Sequence, residues 1–285
     1  MPIQFSSVIA AKQRALPGFS SLLYVDLDEL GVAASPVAVL DDFRVPGLPF
    51  SPHPHAGFAA VTYVFEDSPG DLRSRASSGA DLVVGPGGIV WTHAGSGVVH
   101  EEIPAVQGRE LHGIQIFVNL SSQSKLTPPR VLHLDPAQVP EWRSDAGDHV
   151  RVVVGSFEDI ASPLVPVEPF TLLDVHLRQE ISFAAQAGHT VLVYVLTGHV
   201  AVSADGHQEK VDGGHALALR GNGGRVRFEA VPPSHFLILS GPEIREPVVS
   251  EGPFIMNNHS QIEQAVARYR RGAMGNLAPS GNRAG

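Results

Sequence analysis

Cysteine is absent from the 285-residue chain, and this absence excludes several kinds of site at once. Disulfides, cysteine nucleophiles, iron–sulfur clusters and cysteine-ligated zinc sites all need a thiol. The chain also has no apolar run near the roughly 18 residues that a membrane-spanning helix requires. Its first residues show no basic segment followed by an apolar one, so no secretory signal is expected. These absences predict a cytoplasmic protein that does not enter a membrane.

Positive charge is in short supply. The chain has 20 Lys and Arg residues against 29 Asp and Glu residues, which gives a net charge of -9. A general nucleic-acid-binding surface needs the opposite balance, so we do not expect one. Hydrophobic residues make up 43% of the chain and charged residues only 17%, which predicts a folded protein with a large core.

Short apolar segments broken by turn residues run along most of the sequence, which is typical of an all-β protein. Examples are Ala60–Phe65, Gly113–Leu120 and Val191–Leu196. Residues 121–148 are polar and contain four prolines, so they are predicted to connect two β-domains. The pattern therefore predicts two antiparallel β-domains, residues 1–134 and 135–285, whose similar texture indicates a duplicated barrel.

One helix is predicted near the C-terminus, at about residues 260–271. Ser260 and Glu263 have the spacing of a capping box. The apolar residues of the helix recur at helical spacing and comprise Ile262, Ala265, Val266 and Tyr269. We interpret this segment as a packing helix that covers a sheet edge.

Histidines form the most informative pattern in the chain. His53 and His55 are two residues apart, as are His100 and Glu102, and residues at this spacing in a strand point to the same face. Glu101 must point the other way. If the two strands face each other, three imidazoles and one carboxylate form an open mononuclear site, which suits Fe, Mn, Co, Ni, Cu or Zn. The alternative is that the His53–His55 pair lies on the surface without a metal.

Four segments resemble the pirin family of the cupin superfamily. They are His53–Glu66, Gly88–Glu102, His112–Leu120 and Leu237–Asn257, the last with the GPFxMN motif of pirins. The resemblance implies a bicupin, with a metal-binding barrel in residues 1–134 and a metal-free cupin-like barrel and helix in residues 135–285. It also implies that the metal ligands are His53, His55, His100 and Glu102, with Fe(II) as the first expectation.

The chain departs from the usual pirin pattern at several positions. Ala56 and Ala59 stand where the familiar motif has Arg and Glu, so polar groups around the ligands are lost. His93 replaces a small residue and is interpreted as an acid/base group, a steric plug or a solvent-facing side chain. Trp91 is expected in the core, with pocket lining as the alternative. His112 is expected to make a structural hydrogen bond rather than a metal contact.

Pirin-like proteins include quercetin 2,3-dioxygenases, so the resemblance implies a flavonol-like substrate and dioxygen. Glu102 is then either a fourth ligand or a general base. A metal- or redox-dependent regulatory module that binds a protein partner is the alternative, and a different small-molecule oxygenase or isomerase is a third. We expect a monomer.

Overall fold

Short β-strands make up 51% of the chain, as a computed structural model that describes residues 2–48, 50–230 and 233–280 shows. In chain order the strands are β1 (Gln4–Phe5), β2 (Ile9–Ala10), β3 (Lys12–Gln13), β4 (Ser21–Tyr24), β5 (Val37–Val45), β6 (His53–His55), β7 (Phe58–Val64), β8 (Leu72–Ala76), β9 (Asp81–Val84), β10 (Ile89–His93), β11 (Val98–Pro104), β12 (Leu111–Asn119), β13 (Arg130–Leu134), β14 (Glu141–Arg143), β15 (His149–Val154), β16 (Ser156–Phe157), β17 (Ile160–Ala161), β18 (Thr171–Leu177), β19 (Glu180–Ala185), β20 (His189–Thr197), β21 (His199–Ala204), β22 (His207–Asp212), β23 (His215–Arg220), β24 (Gly224–Ala230), β25 (Ser234–Pro242), β26 (Val249–Glu251) and β27 (Phe254–Met256). Short 3-10 turns occur at Leu27–Glu29, Gly31–Ala34 and Pro136–Gln138, and α1 spans His259–Arg270.

These elements form two compact units, and neither is continuous in sequence. Unit 1 comprises Met1–Gln13, Leu23–Leu40 and Ala137–Ile244, and unit 2 comprises Arg14–Leu22, Asp41–Pro136 and Arg245–Gly285. The division differs from a single cut between residues 134 and 135, because the C-terminal segment with α1 belongs to the unit that holds the histidine pair.

Two sheets pack face to face within unit 2. One has the strand order β6-β11-β8-β9, and the other contains β13-β10-β7-β12-β5 in that order. Apolar side chains from both sheets meet in one core, and they include Val64, Leu72, Val84, Val90 and Leu111. Burying this shared face holds the two sheets together and fixes which side of each strand points inwards.

The connection predicted over residues 121–148 also contains two short strands. Strand β13 lies within them and pairs antiparallel with β10, where Leu134 is opposite Ile89. Strand β14 also lies within them and pairs with β15. Strand β13 lies between Pro129 and Pro136, and β14 follows Pro140, so the sequence shows turn signals where these edge strands occur.

Unit 1 has a large sheet and a small one. The large sheet has the order β1-β23-β20-β25-β18-β15-β14, with β2 also paired to β23, and the small sheet has the order β19-β24-β21-β22. A single apolar core joins them, with members such as Val152, Leu173, Val193, Val226 and Ile238. In β18 the odd-numbered residues face this core, so the even-numbered ones face the other side of the sheet.

The predicted C-terminal helix is confirmed, but its cap is different. The Asn258 side chain accepts a hydrogen bond from the Gln261 backbone N–H at 2.9 Å, and the Gln261 side chain accepts one from the Asn257 N–H at 2.9 Å. The predicted capping box of Ser260 and Glu263 is therefore wrong. Asn is a strong N-cap residue, and it starts the helix two positions earlier.

One face of α1 packs in unit 2 against the segment that follows the histidine pair. Ile262 and Ala265 are buried in a cluster with Ala56 and Phe254, whereas Tyr269 stays 41% exposed. The predicted apolar face is therefore narrower than its spacing suggested.

The prediction of an all-β chain with one short helix is confirmed over the described residues. The hydrogen-bonded strand orders are open, so closure of each unit into a barrel stays a prediction. No helix in the described part of the chain combines the length and the apolar character needed to cross a bilayer.

Candidate metal centre

Three histidines meet on the inner face of the four-stranded sheet of unit 2. Strands β6 and β11 pair antiparallel, so that His100 is directly opposite His53 and Val98 is opposite His55. Residues two apart in a strand share a face, and both members of the H-x-H pair therefore point to the side of His100. One ligand atom from each of His53, His55 and His100 lies within 4.8 Å of the others.

The three imidazole rings form a compact triangle. Their centroids are 4.8 Å apart for His53 and His55, 4.7 Å for His53 and His100, and 4.6 Å for His55 and His100. His55 and His100 are buried, and His53 is half-buried at the open side. This triangle is called the His triad below.

Hydrogen bonding leaves ring nitrogens of the His triad free for another partner. His53 Nδ1 lies 2.9 Å from the Ser51 carbonyl, which fixes its proton on Nδ1 and leaves Nε2 as a lone pair. Among the described residues, His55 Nδ1 and both ring nitrogens of His100 are buried without a hydrogen-bond partner. Such orphaned atoms are costly, and a divalent first-row ion is a partner that fits three converging imidazoles.

Burial keeps all three imidazoles neutral. Burial, together with repulsion from the neighbouring His53, lowers the pKa of His55 to about 3. Burial also lowers the pKa of His100, with added repulsion from His55 and His53. The pKa of His53 is lowered by burial and partly restored by its bond to Ser51. Neutral imidazole is the form that binds metals, so the site presents its ligands ready at physiological pH.

Glu102 lies beside the His triad but is not part of it. It shares the face of His100 and is opposite Ser74 on β8. Thr62 Oγ1 lies 2.5 Å from Glu102 Oε2, and Ser74 Oγ donates to Oε1 at 3.2 Å. Burial raises the pKa of Glu102 to about 7, and the two hydroxyl contacts oppose this rise. In this arrangement two hydroxyls hold the carboxylate.

The hydroxyl of Thr62 links Glu102 to a second polar side chain. Its Oγ1 lies 3.1 Å from Gln115 Oε1, and Gln115 Nε2 donates to the Val61 carbonyl at 3.0 Å. The hydroxyl has one proton, which it donates to Glu102, so the Gln115 amide is held in place by its bond to the Val61 carbonyl. The sequence pattern did not identify Thr62, Ser74 or Gln115.

Aromatic side chains surround the His triad. The rings of Phe58 and Phe117 lie 5.0 and 5.3 Å from the His55 ring. Phe50 lies 5.8 Å from the His53 ring and is 51% exposed. The site thus has an aromatic wall formed by the buried Phe58 and the half-buried Phe117, and one exposed aromatic ring, Phe50, at its solvent side.

His93 does not belong to this site. His93 is opposite Ala59 on β7 and lies on the same face of the sheet as Ala59. Thr62 is three residues further along β7, so it lies on the other face, where it contacts Glu102. His93 is 1% exposed and bonded through Nε2 to Thr127 Oγ1 at 2.8 Å, so the solvent-facing interpretation is wrong. Trp91 is two residues from His93 on the same strand, is buried, and shares its outer face. The small Ala59 leaves room for the larger His93 across the strand pair.

His112 has the structural role expected for it. Its Nδ1 lies 2.5 Å from Asp67 Oδ1, and its Nε2 lies 3.3 Å from Asp42 Oδ1. Both ring nitrogens are occupied by carboxylates, so neither is free for a metal in the His triad.

The segment after the His53–His55 pair contacts the GPFxMN segment behind the His triad. Ala56 forms a bridge with Phe254, and the Ile255 N–H donates to the Ala56 carbonyl at 3.1 Å. The buried Lys125 Nζ donates to the carbonyls of Gly57 at 2.9 Å and Ile255 at 3.0 Å. Gly57 has φ +86, and a Cβ there would lie 1.9 Å from the Ile255 oxygen, so only glycine fits this approach.

Comparison with known proteins agrees with this geometry. The family model described as Pirin matches residues 4–118, and the Pirin C-terminal cupin domain matches residues 172–275. Human pirin (Homo sapiens) is 33% identical over 246 residues, which cover 84% of this chain and 83% of that protein.

Solved structures extend the likeness to the fold. A quercetin 2,3-dioxygenase from Acinetobacter baumannii has a TM-score of 0.84 and 27% identity, covering 97% of this chain and 99% of that one. A bacterial pirin from Escherichia coli, solved in complex with nickel(II), has a TM-score of 0.64 and 19% identity, covering 85% and 100%. The likeness of sequence and fold spans both units, and the chain belongs to the pirin family.

Proposed function

We propose that this protein is a metal-dependent dioxygenase that cleaves flavonols, of the quercetin 2,3-dioxygenase type. His53, His55 and His100 would hold one divalent first-row ion, with Fe(II) preferred and Mn, Co, Ni, Cu or Zn as alternatives. Glu102 is either the fourth ligand or the general base. We further propose that the site lies in a cupin barrel formed by unit 2.

The observation that carries the proposal is the state of the His triad. Three neutral imidazoles converge, and buried ring nitrogens of two of them lack a partner among the described residues. A folded protein rarely leaves such groups unsatisfied, and an open nitrogen-rich site is the usual binding place of a catalytic first-row ion. The relatives support the same conclusion, since one is a quercetin 2,3-dioxygenase and one was solved with nickel(II).

The side chains around the triad suit a flat aromatic substrate. Phe58 and Phe117 form a wall beside His55, and the half-exposed Phe50 lies next to His53. Offset or edge-to-face contact with such rings holds a planar polyphenol and displaces water from the reacting centre. Phe50 is the residue placed to contact the substrate first.

Glu102 is positioned to take the proton of the flavonol 3-hydroxyl. Its pKa of about 7 gives a carboxylate that is basic enough to accept a proton and still partly ionised at neutral pH. Thr62 and Ser74 hold its two oxygens, so the carboxyl is aimed along the same face as His100. A bound first-row ion supplies Lewis acidity and one-electron chemistry toward dioxygen.

The replaced residues Ala56 and Ala59 do not argue for a purely regulatory protein. Both are fully buried. Ala56 packs against the C-terminal segment, and Ala59 faces His93 on the outer side of its sheet. Neither replacement therefore removes a polar group from the inner face that carries the His triad and Glu102.

A flavonol assay across metals tests the proposal. Metal-free protein is reconstituted separately with Fe(II), Mn, Co, Ni and Cu, and quercetin is added under air. We expect loss of the flavonol absorbance in at least one reconstituted form, one dioxygen consumed and one carbon monoxide released per flavonol, and a depside product. His53→Ala should abolish the reaction.

The matched control is His207→Ala. This exposed histidine lies in unit 1 and is bonded to Glu209 at 3.0 Å. The control should react as the wild type does. If the protein binds an ion at the His triad but no reconstituted form consumes flavonol, the dioxygenase proposal is wrong, and metal-dependent capture of a protein partner becomes the better account.

A further inference from the structure

Unit 1 contains a second group of metal-ligating side chains. Asp174 and His176 are two residues apart on β18 and therefore share a face, and His235 on β25 is directly opposite His176. One ligand atom from each of the three lies within 4.8 Å of the others. This group is called the Asp174 cluster below. Its sequence signal is the Asp-x-His spacing, which a search for paired histidines does not detect.

The donor atoms of the Asp174 cluster point to a common place. The His176 and His235 rings are stacked, with centroids 4.0 Å apart and planes at 16°. Their Nε2 atoms lie 4.0 Å and 2.5 Å from the same oxygen, Oδ1 of Asp174. Two imidazoles that present the same ring nitrogen to one carboxylate oxygen form a two-histidine, one-carboxylate set.

Burial and access also suit a bound ion. The Asp174 side chain is 1% exposed, so its charge lies away from water, whereas the His176 side chain is 42% exposed and that of His235 20%. The two imidazole rings thus form the solvent side of the cluster, while His176 Nε2 and the Asp174 carboxylate lie buried beneath, where charge is weakly screened. Burying a carboxylate is expensive unless a cation or proton compensates it.

Neighbouring groups on the same sheet complete the surroundings. His149 on β15 stacks on His176 at 5.8 Å, and its Nε2 lies 3.2 Å from Glu141 Oε2. Arg151 is opposite Asp174 in the strand register, and its Nη1 donates to Glu141 Oε1 at 3.2 Å. Glu141 therefore contacts both His149 and Arg151 beside the cluster.

We propose that the Asp174 cluster is a second divalent-metal site, which binds Zn²⁺ or a similar first-row ion through Asp174, His176 and His235. The donor set is that of open zinc sites and of two-histidine, one-carboxylate iron sites. The ion replaces the proton between Asp174 and His235 and links β18 to β25. This inference departs from the expectation that the second half is metal-free, and it does not rest on the proposed dioxygenase activity.

Zinc binding to a variant without the His triad tests the proposal. The double variant His53→Ala/His100→Ala is prepared metal-free, and Zn²⁺ is titrated by calorimetry with the bound zinc counted after dialysis. We expect one Zn²⁺ per chain and a rise in melting temperature on zinc addition. Adding His176→Ala or His235→Ala should weaken binding at least about tenfold and remove the thermal shift, because each removes a ligand.

His207→Ala is again the matched control, since it removes an exposed histidine beside a single carboxylate and should leave zinc binding unchanged. Asp174→Asn keeps the shape of the side chain and should weaken binding by removing its charge. If the double variant does not fold, the wild type is titrated instead, and we expect two Zn²⁺ per chain against one in His176→Ala. Absence of zinc from the double variant at about 100 μM, or binding that survives His176→Ala and His235→Ala, would overturn the proposal.

Discussion

The His triad of unit 2 and the Asp174 cluster of unit 1 use similar side chains under different conditions. In the His triad, the ring nitrogens of His100 are buried with no partner among the described residues. In the Asp174 cluster, His235 already has a carboxylate partner at 2.5 Å, and His176 reaches solvent. Both groups arise from residues two apart on a strand facing a residue on the paired strand.

The difference shows how the neighbouring charge decides what a histidine group needs. A neutral triad without a carboxylate in its midst gains from an external cation, because protonation of one ring would place an uncompensated charge in the interior. A cluster with its own carboxylate is satisfied by a proton and binds an ion only in competition with that proton. Metal should therefore be essential in unit 2 and optional in unit 1.

The largest expected effect is on metal affinity. His100→Ala should weaken binding of the tighter ion more than about 100-fold, since changes to groups that merely orient a ligand already cost 10–100-fold. His235→Ala should leave the affinity of the His triad for its ion unchanged and weaken only the binding at the Asp174 cluster. Competition with a chromogenic chelator measures both constants. Equal losses in the two variants would erase the distinction between the two groups.

The second prediction concerns the packing of Gly57 against Ile255 behind the His triad. This contact joins segments that are distant in sequence, whereas the Asp174 cluster lies on two paired strands. Gly57→Ala places a methyl group 1.9 Å from the Ile255 oxygen at φ +86 and should lower the free energy of unfolding by about 3 kcal/mol. Gly108→Ala is the matched control, because Gly108 has φ +82 but nothing within 4 Å of the added Cβ. It should cost about 1 kcal/mol. Urea unfolding gives both values, and equal costs would mean that the close approach to Ile255 is unimportant.

The third prediction is that Glu102 makes the free energy of unfolding of the metal-free protein depend on pH. The pKa of Glu102 is about 7 in the folded protein against 4.5 ordinarily, so the folded chain binds a proton that the unfolded chain releases between these values. Stability from this group is therefore present below pH 4.5 and is lost as the pH rises to 7. Relative to Glu102→Gln, the wild type should lose about 3 kcal/mol across that interval.

Urea unfolding of the two proteins at pH 4.5, 5.5, 6.5 and 7.5, with chelator present, measures the change. Thr62→Val should enlarge the pH-dependent difference, because the Thr62 hydroxyl opposes the rise in the Glu102 pKa that burial causes. A constant difference between wild type and Glu102→Gln at all four pH values would show that the carboxyl titrates normally.

The smallest expected effect is on substrate binding. Phe50→Ala should raise KM for quercetin about 3- to 10-fold with little change in kcat, because an exposed aromatic contact contributes about 1 kcal/mol. Val83→Ala removes an exposed apolar side chain elsewhere in unit 2 and should leave KM unchanged. Steady-state kinetics separate the two parameters. A fall in kcat without a change in KM would place Phe50 outside the substrate contact.

Much of the fold and part of the site follow from local sequence patterns. Alternation along β6 and β11 is a property of a few consecutive residues, so the shared face of His53, His55 and His100 could be predicted. The all-β class and the C-terminal helix follow from periodicity in the same way. The capping box failed because Asn258 competes with Ser260 for the start of the helix.

The remaining features depend on which distant strands pair and in what register. Ser74 contacts Glu102 because β8 pairs with β11, and Thr62 contacts it because β7 lies in the sheet that faces β11. No local sequence pattern predicts either relation. The same holds for the bridge between Ala56 and Phe254, which assigns the C-terminal segment to unit 2. The Asp174 cluster forms only because His176 pairs with His235, which lies 59 positions later in the sequence.

The most direct test is flavonol consumption as Fe(II) is added stepwise to metal-free protein carrying His176→Ala, which removes one ligand of the Asp174 cluster. We predict that the rate rises in proportion to bound iron and levels off at one Fe(II) per chain, and that the additional change His100→Ala removes the reaction at every iron concentration. A rate that is independent of bound iron, or one that survives His100→Ala, would contradict the account.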